Sequence, residues 1–323
     1  MVTTLVAALF LPLLAGCGNC NPSAGTILPG TLIAFAGHGY SEDVDVIELE
    51  SMTILATITG AGGYRMVLSR DGNTLYSTGG DSLVYVSDAR TYTLITAFDP
   101  STAFSGIGSD ELEAIAINPA GTRVYVFDES GDTAIFVIDT ASNTAIAAMA
   151  LPLDEPENAV VSPDGAFVFV CDNSVIAKIS TASLAIVATV PVGSDAHGIA
   201  INSAGTRVYA KSSDGGIDAF DAATLALVTN IPASNDGYYL DIRPGSTRLY
   251  AVNESFTLSV ITTSTNSLIA DVTLSLSSAR GVFAAPGGSP VVVATSSGLV
   301  KLDAATFAEL GSMSGRYQSI VIR

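Results

Sequence analysis

The chain has 323 residues, of which 48% are hydrophobic and 14% are charged, and its formal net charge is −18. A surface this acidic repels nucleic acids and anionic lipid headgroups, so both are excluded as binding partners. Two histidines are too few for a multi-histidine metal site, and no cysteine spacing resembles a zinc site. We therefore expect no metal ion, no other cofactor and no nucleic acid.

The chain begins with an apolar stretch, residues 2–14, that is too short to span a bilayer comfortably. It ends in Leu14, Ala15, Gly16 and Cys17, an order that resembles the signal peptides of bacterial lipoproteins. We expect residues 1–16 to be a signal peptide, Cys17 to carry the lipid and residues 17–30 to form a polar tether.

The protein would then be an exported lipoprotein of the cell envelope, attached to the membrane only through its lipid. Because Gly18 follows the cysteine, a double-membrane cell would direct it to the outer membrane, at the periplasmic face or the cell surface. Residues 1–4 contain no Lys or Arg, which departs from the usual signal pattern. An ordinary secretory signal and a buried N-terminal strand are the alternatives.

From residue 31 onward, one pattern of four short apolar runs occurs seven times. The third run of each copy closes with an acidic or polar residue: Glu48, Asp88, Asp139, Ser180, Asp221, Thr262 and Asp303. Five of the six intervals are 40 or 41 residues, and an insertion at residues 99–111 explains the longer one. A period near 40 with four short strands per unit is typical of β-propeller blades.

The runs of each copy predict four antiparallel strands joined by turns. Clear examples are residues 114–117 and 198–201 for the first strand, 123–127 and 207–210 for the second, 135–138 and 217–220 for the third, and 144–149 and 225–229 for the fourth. The repeated Asp between the third and fourth strands can bond the backbone two residues further on. We therefore assign those Asp residues to turns and none of them to catalysis.

The two ends of the repeat region are out of phase with the pattern. The first copy begins at a second-strand equivalent, residues 31–35, whereas residues 318–323 match a first strand. We expect an all-β, seven-bladed propeller over residues 31–323, in which the C-terminal strand completes the N-terminal blade. Closure of this kind removes two free sheet edges.

Two segments resemble a known repeat: VATVPVGSDAHGIAINSAGTRVYA at 187–210 and INPAGTRVYVFDESGDTAIFVIDT at 117–140. They are similar to the YVTN repeat of bacterial YncE-like proteins and surface-layer propellers. The resemblance covers residues 31–323 and implies an exported seven-bladed propeller, often without an assigned biochemical role. The absence of Trp counts against tryptophan–aspartate repeats and quinoprotein dehydrogenases.

One register of the repeat, immediately before the first strand, is polar or amphipathic in all seven copies. We name these residues the channel-mouth ring: Tyr64, Glu113, Glu157, His197, Tyr238, Arg280 and Gln318. First strands line the channel of a propeller, so the ring would converge on one channel end and form a ligand site. The alternative is a ring that only hydrates the channel.

The ring suits a polar or zwitterionic ligand, because Glu113, Glu157 and His197 could contact a cation and Arg280 a carboxylate. The favoured function is a non-enzymatic binding module for an envelope protein or a small polar ligand. The alternative is a lactonase-like hydrolase that holds a divalent metal on channel-mouth carboxylates. Export would also permit a disulfide between Cys20 and Cys171, although we expect Cys171 to be a small buried hydrophobe.

Overall fold

A computed structural model of the chain describes residues 30–39, 43–129, 133–193, 196–212, 215–233, 239–242, 246–252, 256–276, 278–285 and 287–323. The expected signal peptide, Cys17, Cys20 and the tether up to residue 29 lie outside the described residues, as does Tyr238. Within these ranges, no helix has the length and apolar character needed to cross a membrane.

The described residues form seven four-stranded antiparallel sheets, which are the blades of a β-propeller. Blade 1 contains β1 (Ile33–Gly37), β2 (Val44–Glu48), β3 (Thr53–Ile58) and β28 (Ser319–Ile322); blade 2 contains β4 (Arg65–Leu68), β5 (Thr74–Thr78), β6 (Val84–Asp88) and β7 (Thr93–Phe98); blade 3 contains β8 (Leu112–Ile117), β9 (Arg123–Asp128), β10 (Ala134–Asp139) and β11 (Thr144–Ala150); blade 4 contains β12 (Pro156–Val161), β13 (Phe167–Asp172), β14 (Val175–Ser180) and β15 (Ile186–Pro191).

The remaining blades follow the same order along the chain. Blade 5 contains β16 (Ile199–Ile201), β17 (Arg207–Lys211), β18 (Ile217–Asp221) and β19 (Leu227–Ile231); blade 6 contains β20 (Tyr239–Asp241), β21 (Arg248–Val252), β22 (Thr257–Thr262) and β23 (Ser267–Thr273); blade 7 contains β24 (Ala279–Ala284), β25 (Val291–Thr295), β26 (Gly298–Leu302) and β27 (Glu309–Ser314). A short 3₁₀ helix, Pro100–Ala103, lies in the predicted insertion.

The C-terminal strand closes the ring, as the out-of-phase termini predict. β28 pairs antiparallel with β1, and the register aligns Ser319 with Gly37 and Ile322 with Ala34. All four residues of β28 are buried. The N-terminal blade therefore depends on the last residues of the chain for its innermost strand.

Burial changes in a regular way from the channel outward. The second and third strands of each blade are almost wholly buried, as in β9 and β10, because neighbouring blades cover both faces. The fourth strands are the outer ones and are largely exposed, as in β11. This arrangement explains why the middle runs of the repeat lack strict apolar–polar alternation.

The boundary predicted for the fourth strand of blade 5 is wrong by two residues. β19 begins at Leu227, and Leu225 lies in the preceding turn with a φ of 56° and its side chain buried. The same turn position has positive φ in every blade: Met52, Tyr92, Asn143, Leu184, Leu225, Asn266 and Phe307. The apolar residues at this position accept the costly conformation because their side chains pack against the core, with Tyr92, Leu184 and Leu225 buried and Met52 and Phe307 partly buried.

The repeated Asp residues cap these turns. Asp139 Oδ1 accepts hydrogen bonds from the backbone amides of Ala141 and Ser142, both at 3.0 Å. Asp221 accepts in the same way from Ala223 and Thr224. These contacts agree with the structural assignment made from the sequence, because the carboxylates are used to hold the chain reversal.

Candidate functional site

The innermost strands of all seven blades surround a central cavity of about 590 Å³. Its wall is apolar over most of its length, with residues such as Val67, Ala116, Val160, Ala200 and Val282. Polar side chains lie towards the ends of the inner strands. This arrangement agrees with the expectation that the first strand of each repeat lines the channel.

The residues that line the cavity include more basic than acidic side chains, unlike the chain as a whole. Three arginines, Arg65, Arg70 and Arg280, line it, and Asp241 is the one acidic residue among its described lining residues. The whole chain has 31 acidic and 13 basic residues. Because low-dielectric walls strengthen the field of a charged group, a basic side chain on this wall can attract an anion into an otherwise acidic molecule.

Arg65 is the principal site residue that the sequence analysis missed. It follows Tyr64 at the start of β4 and is 7% exposed. Its side chain reaches the fourth blade, where Nε donates to the backbone oxygen of Glu157 at 3.2 Å and Nη2 lies 3.5 Å from Glu157 Oε2. A signal was present, since Arg65 alone is charged in this register of the seven repeats.

Two aromatic rings enclose the Arg65 guanidinium. Its central carbon lies 5.2 Å from the ring centroid of Tyr64 and 5.3 Å from that of Tyr239, which belongs to the sixth blade. Burial opposes the charge of Arg65, but the facing tyrosines and the Glu157 carboxylate raise its pKa above the usual value. Arg65 is therefore a permanent cation held by residues of three blades.

Glu157 and His197 are brought together, as their adjacent repeats predict. His197 Nδ1 lies 2.6 Å from Glu157 Oε2, the same oxygen that faces Arg65. The Glu157 carboxylate thus already has two protein partners and is almost fully buried. Its geometry is suited to positioning Arg65 and His197.

The other ring residues have different surroundings. Arg280 and Gln318 line the cavity, whereas Glu113, Glu157 and His197 are not part of its lining. Gln318 Nε2 donates to the hydroxyl of Tyr239 at 3.5 Å. Tyr239, the neighbour of the predicted Tyr238, is the blade 6 tyrosine that the described residues place at this end.

Glu113 lies with two other carboxylates. Each of Glu111, Glu113 and Glu129 contributes one carboxyl oxygen to a cluster in which all three oxygens lie within 4.8 Å of one another. Glu113 is 2% exposed, and its Oε2 has no hydrogen-bond partner in the described part of the chain. Burial and the carboxylates of Glu157 and Glu129 raise the pKa of Glu113 to about 9, and burial also raises the pKa of Glu129.

Comparisons with known proteins identify the fold and no more. No protein-family model matches the chain, and no curated protein matches its sequence. The chain is similar to the crystal structure of a functionally unknown protein from Desulfotomaculum acetoxidans DSM 771, with a TM-score of 0.75 and 11% identity, over 90% of this chain and 98% of that chain. At this identity the likeness establishes a seven-bladed β-propeller. Because 1732 solved chains match, the fold does not select an activity.

Proposed function

We propose that the protein is a non-enzymatic binding module of the cell envelope that holds a small organic anion in its central channel. The observation that carries this proposal is the cavity itself, lined by three arginines and one described acid in a chain of charge −18. An arginine recognises a carboxylate through two parallel hydrogen bonds, and the apolar wall provides a surface for a hydrocarbon body.

We assign different roles to Arg65 and Arg280 from their positions in the cavity wall. Arg65 is already held by Glu157 and the two tyrosine rings, and the Glu157 carboxylate balances its charge, so we assign it the role of fixing this end of the channel. Arg280 lies on the cavity wall with Gln318 and Tyr239, which add hydrogen-bonding groups at the same end. We assign the direct contact with the anionic group to Arg280.

The ligand class can be tested with a panel of carboxylates that includes hexanoate and benzoate, each measured beside its neutral amide by thermal shift and calorimetry. The carboxylates should raise the melting temperature, and the amides should not. Replacing Arg280 by Gln should weaken carboxylate binding by about 1.5–3 kcal/mol, the usual contribution of a charge-assisted hydrogen bond.

The matched control is Arg90→Gln. Arg90 forms an exposed ion pair with Asp88 on the surface, and its side chain is 63% exposed. That variant removes the same charge from the protein and should bind the carboxylates like the wild type. If no carboxylate stabilises the protein, or if the amides bind equally well, the proposed ligand class is wrong.

The family and the anchoring are part of the same proposal. The segments at 117–140 and 187–210 support membership of the YVTN-repeat, YncE-like propellers, and the residues before Cys17 support lipidation. Mass spectrometry of the mature N-terminus should find diacylglycerol on Cys17 and should lose it in Cys17→Ser. An unmodified mature N-terminus in the wild type would exclude the lipoprotein assignment.

A metal-dependent hydrolase is the second candidate, because Glu111, Glu113 and Glu129 could bind a hard cation. Glu157, which the sequence analysis included among the candidate metal ligands, is instead bound to Arg65 and His197. Assays of lactone hydrolysis with added Ca²⁺ or Mn²⁺ would distinguish the two candidates. We expect no turnover from a binding module.

A further inference from the structure

Blades 3 and 4 share the same local backbone arrangement but differ in the charges of the side chains that it holds. The three acids of blade 3, which we name the blade-3 triad, align with three residues of blade 4 at a constant offset of 44 positions. The aligned pairs are Glu111 with Glu155, Glu113 with Glu157 and Glu129 with Asn173. Blade 4 therefore provides an internal comparison for the chemistry of blade 3.

The backbone around the blade-3 triad is fixed by hydrogen bonds. Asp128 at the end of β9 accepts from the amides of Asp110 and Glu111, at 3.2 and 3.0 Å. The amide of Glu129 donates to the backbone oxygen of Glu111 at 2.8 Å. Asp172 makes the equivalent bonds in blade 4, so both blades place their three side chains on a common frame.

The carboxylates of blade 4 already have hydrogen-bond and ion-pair partners within the protein. Asn173 Nδ2 donates to Glu155 Oε2 at 2.9 Å, and Glu157 contacts both Arg65 and His197. Its two negative charges therefore have an amide, a guanidinium and an imidazole as partners. No further cation is required there.

Blade 3 has a third carboxylate, Glu129, where blade 4 has an amide. Arg65 directs its side-chain hydrogen bonds at Glu157. Glu113 is 2% exposed and its Oε2 has no partner among the described residues, which is costly for a buried carboxyl oxygen. Glu113 and Glu129 share one side-chain hydrogen bond, but Glu113 Oε2 remains buried without a partner among the described residues, and a cation would complete the site.

We propose that Glu111, Glu113 and Glu129 form a Ca²⁺-binding site beside the channel. Hard oxygen donors are the ligands that Ca²⁺ prefers. Glu111 and Glu129 are only partly buried, so water can reach the ion and fill its remaining coordination positions. None of the three residues lines the central cavity, so this site is separate from the proposed anion site.

The ligand set is better suited to Ca²⁺ than to Mg²⁺, because Ca²⁺ accepts a flexible shell of oxygen ligands. Ca²⁺ binds oxygens at about 2.3–2.6 Å, so two ligands of one ion can be up to about 5 Å apart. The three oxygens all lie within 4.8 Å of one another, which allows them to share one Ca²⁺ ion. Mg²⁺ requires distances of about 2.1 Å and near-ideal octahedral geometry, and it usually keeps several of its waters instead of taking a set of protein ligands.

The test is calorimetric titration of chelator-treated, full-length protein with CaCl₂, with thermal unfolding as a second measurement. We expect one saturable site with a Kd on the order of 10⁻⁴ M or tighter, the range of extracellular calcium modules and sensors. Ca²⁺ should also raise the melting temperature. MgCl₂ should bind at least about tenfold more weakly.

The discriminating variant is Glu129→Asn, which installs the residue that blade 4 already carries at the same position. It should lower Ca²⁺ affinity by at least about tenfold, as should Glu113→Gln. The control, Glu155→Gln in blade 4, should bind Ca²⁺ like the wild type. Carboxylate binding in the channel should survive Glu129→Asn, which keeps the two proposals distinguishable.

The site is refuted if wild-type protein shows neither saturable heat nor stabilisation with millimolar Ca²⁺. It is also refuted if Glu129→Asn keeps wild-type affinity, or if Glu155→Gln loses as much affinity as Glu129→Asn. Equal affinity for Mg²⁺ would overturn the assignment to calcium.

Discussion

Arg65 in the second blade places its Nη2 atom 3.5 Å from Oε2 of Glu157 in the fourth blade. The pair therefore joins two blades that are separated by the third blade. Both side chains are 9% exposed. A charge pair at this depth forms only because each partner cancels much of the cost of burying the other. The pair ties nonadjacent blades together at one end of the channel.

Removing Arg65 should destabilise the protein. In Arg65→Met, the Glu157 carboxylate remains buried and keeps only the His197 imidazole among the side-chain partners described above. We expect the free energy of unfolding to fall by about 3 kcal/mol, as for other broken buried pairs. Urea unfolding followed by circular dichroism measures this loss.

The control is the double variant Arg65→Met with Glu157→Gln. Because it removes both charges, it should recover most of the stability lost in the single variant. A single variant as stable as the wild type would show that the pair contributes no stability.

Deleting residues 318–323 should cause aggregation or a large loss of stability. The deletion removes β28, which pairs with β1 and buries Ile320, Val321 and Ile322. It exposes a sheet edge and the channel wall. Thermal unfolding and size-exclusion chromatography measure the effect.

A permuted chain is the matched control for this deletion. Arg323 and Ile33 exchange two backbone hydrogen bonds, so the two strand ends already lie side by side. Placing residues 318–323 before residue 31 through a short Gly-Ser linker should restore wild-type stability. A deletion variant that melts like the wild type would contradict closure by this strand.

The tyrosine of the repeated Val-Tyr pair links neighbouring blades. Tyr209 in blade 5 donates its hydroxyl to Asn266 Oδ1 in blade 6 at 2.7 Å, and Tyr76 donates to Asn143 at 2.8 Å. Tyr209→Phe should lower the free energy of unfolding by about 1 kcal/mol, the usual net contribution of one hydrogen bond. A double-mutant cycle with Asn266→Gly measures the pair, since Gly keeps the positive φ of 52°. Additive effects would mean that the two side chains are not coupled.

Alkaline pH should destabilise the protein through the same tyrosines. Burial raises the pKa of Tyr76 and of Tyr209 to about 12, whereas an unfolded tyrosine titrates near about 10. Their contribution is therefore complete below pH 10 and is lost as the pH rises towards 12. Tyr209→Phe should have a shallower loss of stability across that window than the wild type. Identical pH profiles would contradict the assignment.

Cys171 should resist alkylation in the native protein. It is a free thiol, fully buried, and its Sγ lies 2.9 Å from the backbone oxygen of Ala196. Burial raises the pKa of this thiol, which leaves little of the reactive thiolate. Peptide mapping after iodoacetamide should find Cys171 unmodified in native protein and modified in urea. Rapid modification of the native state, or a disulfide to Cys20, would contradict this prediction.

The blade architecture could be predicted from the sequence because its determinants are local. Apolar runs, turn residues such as Asp139 and Asp221, and a regular period specify each four-stranded unit without knowledge of distant contacts. The out-of-phase termini also determined the closure by β28, since ring closure leaves one way to complete the first blade. The turn at Leu225 was placed in a strand because its positive φ depends on burial in the core, which the local sequence does not reveal.

The chemistry of the channel end was decided only by the tertiary structure. Glu113 and Glu157 occupy the same register and have the same side chain, so the sequence treats them as equivalent. Arg65, which lies 92 residues before Glu157 in the chain, reaches Glu157 and leaves Glu113 among other carboxylates. The sequence specifies which groups approach the channel, whereas the partner that each charge finds depends on the packing of nonadjacent blades. Burial makes the identity of that partner important, because the energetic cost of a charge removed from water depends on the few groups that contact it.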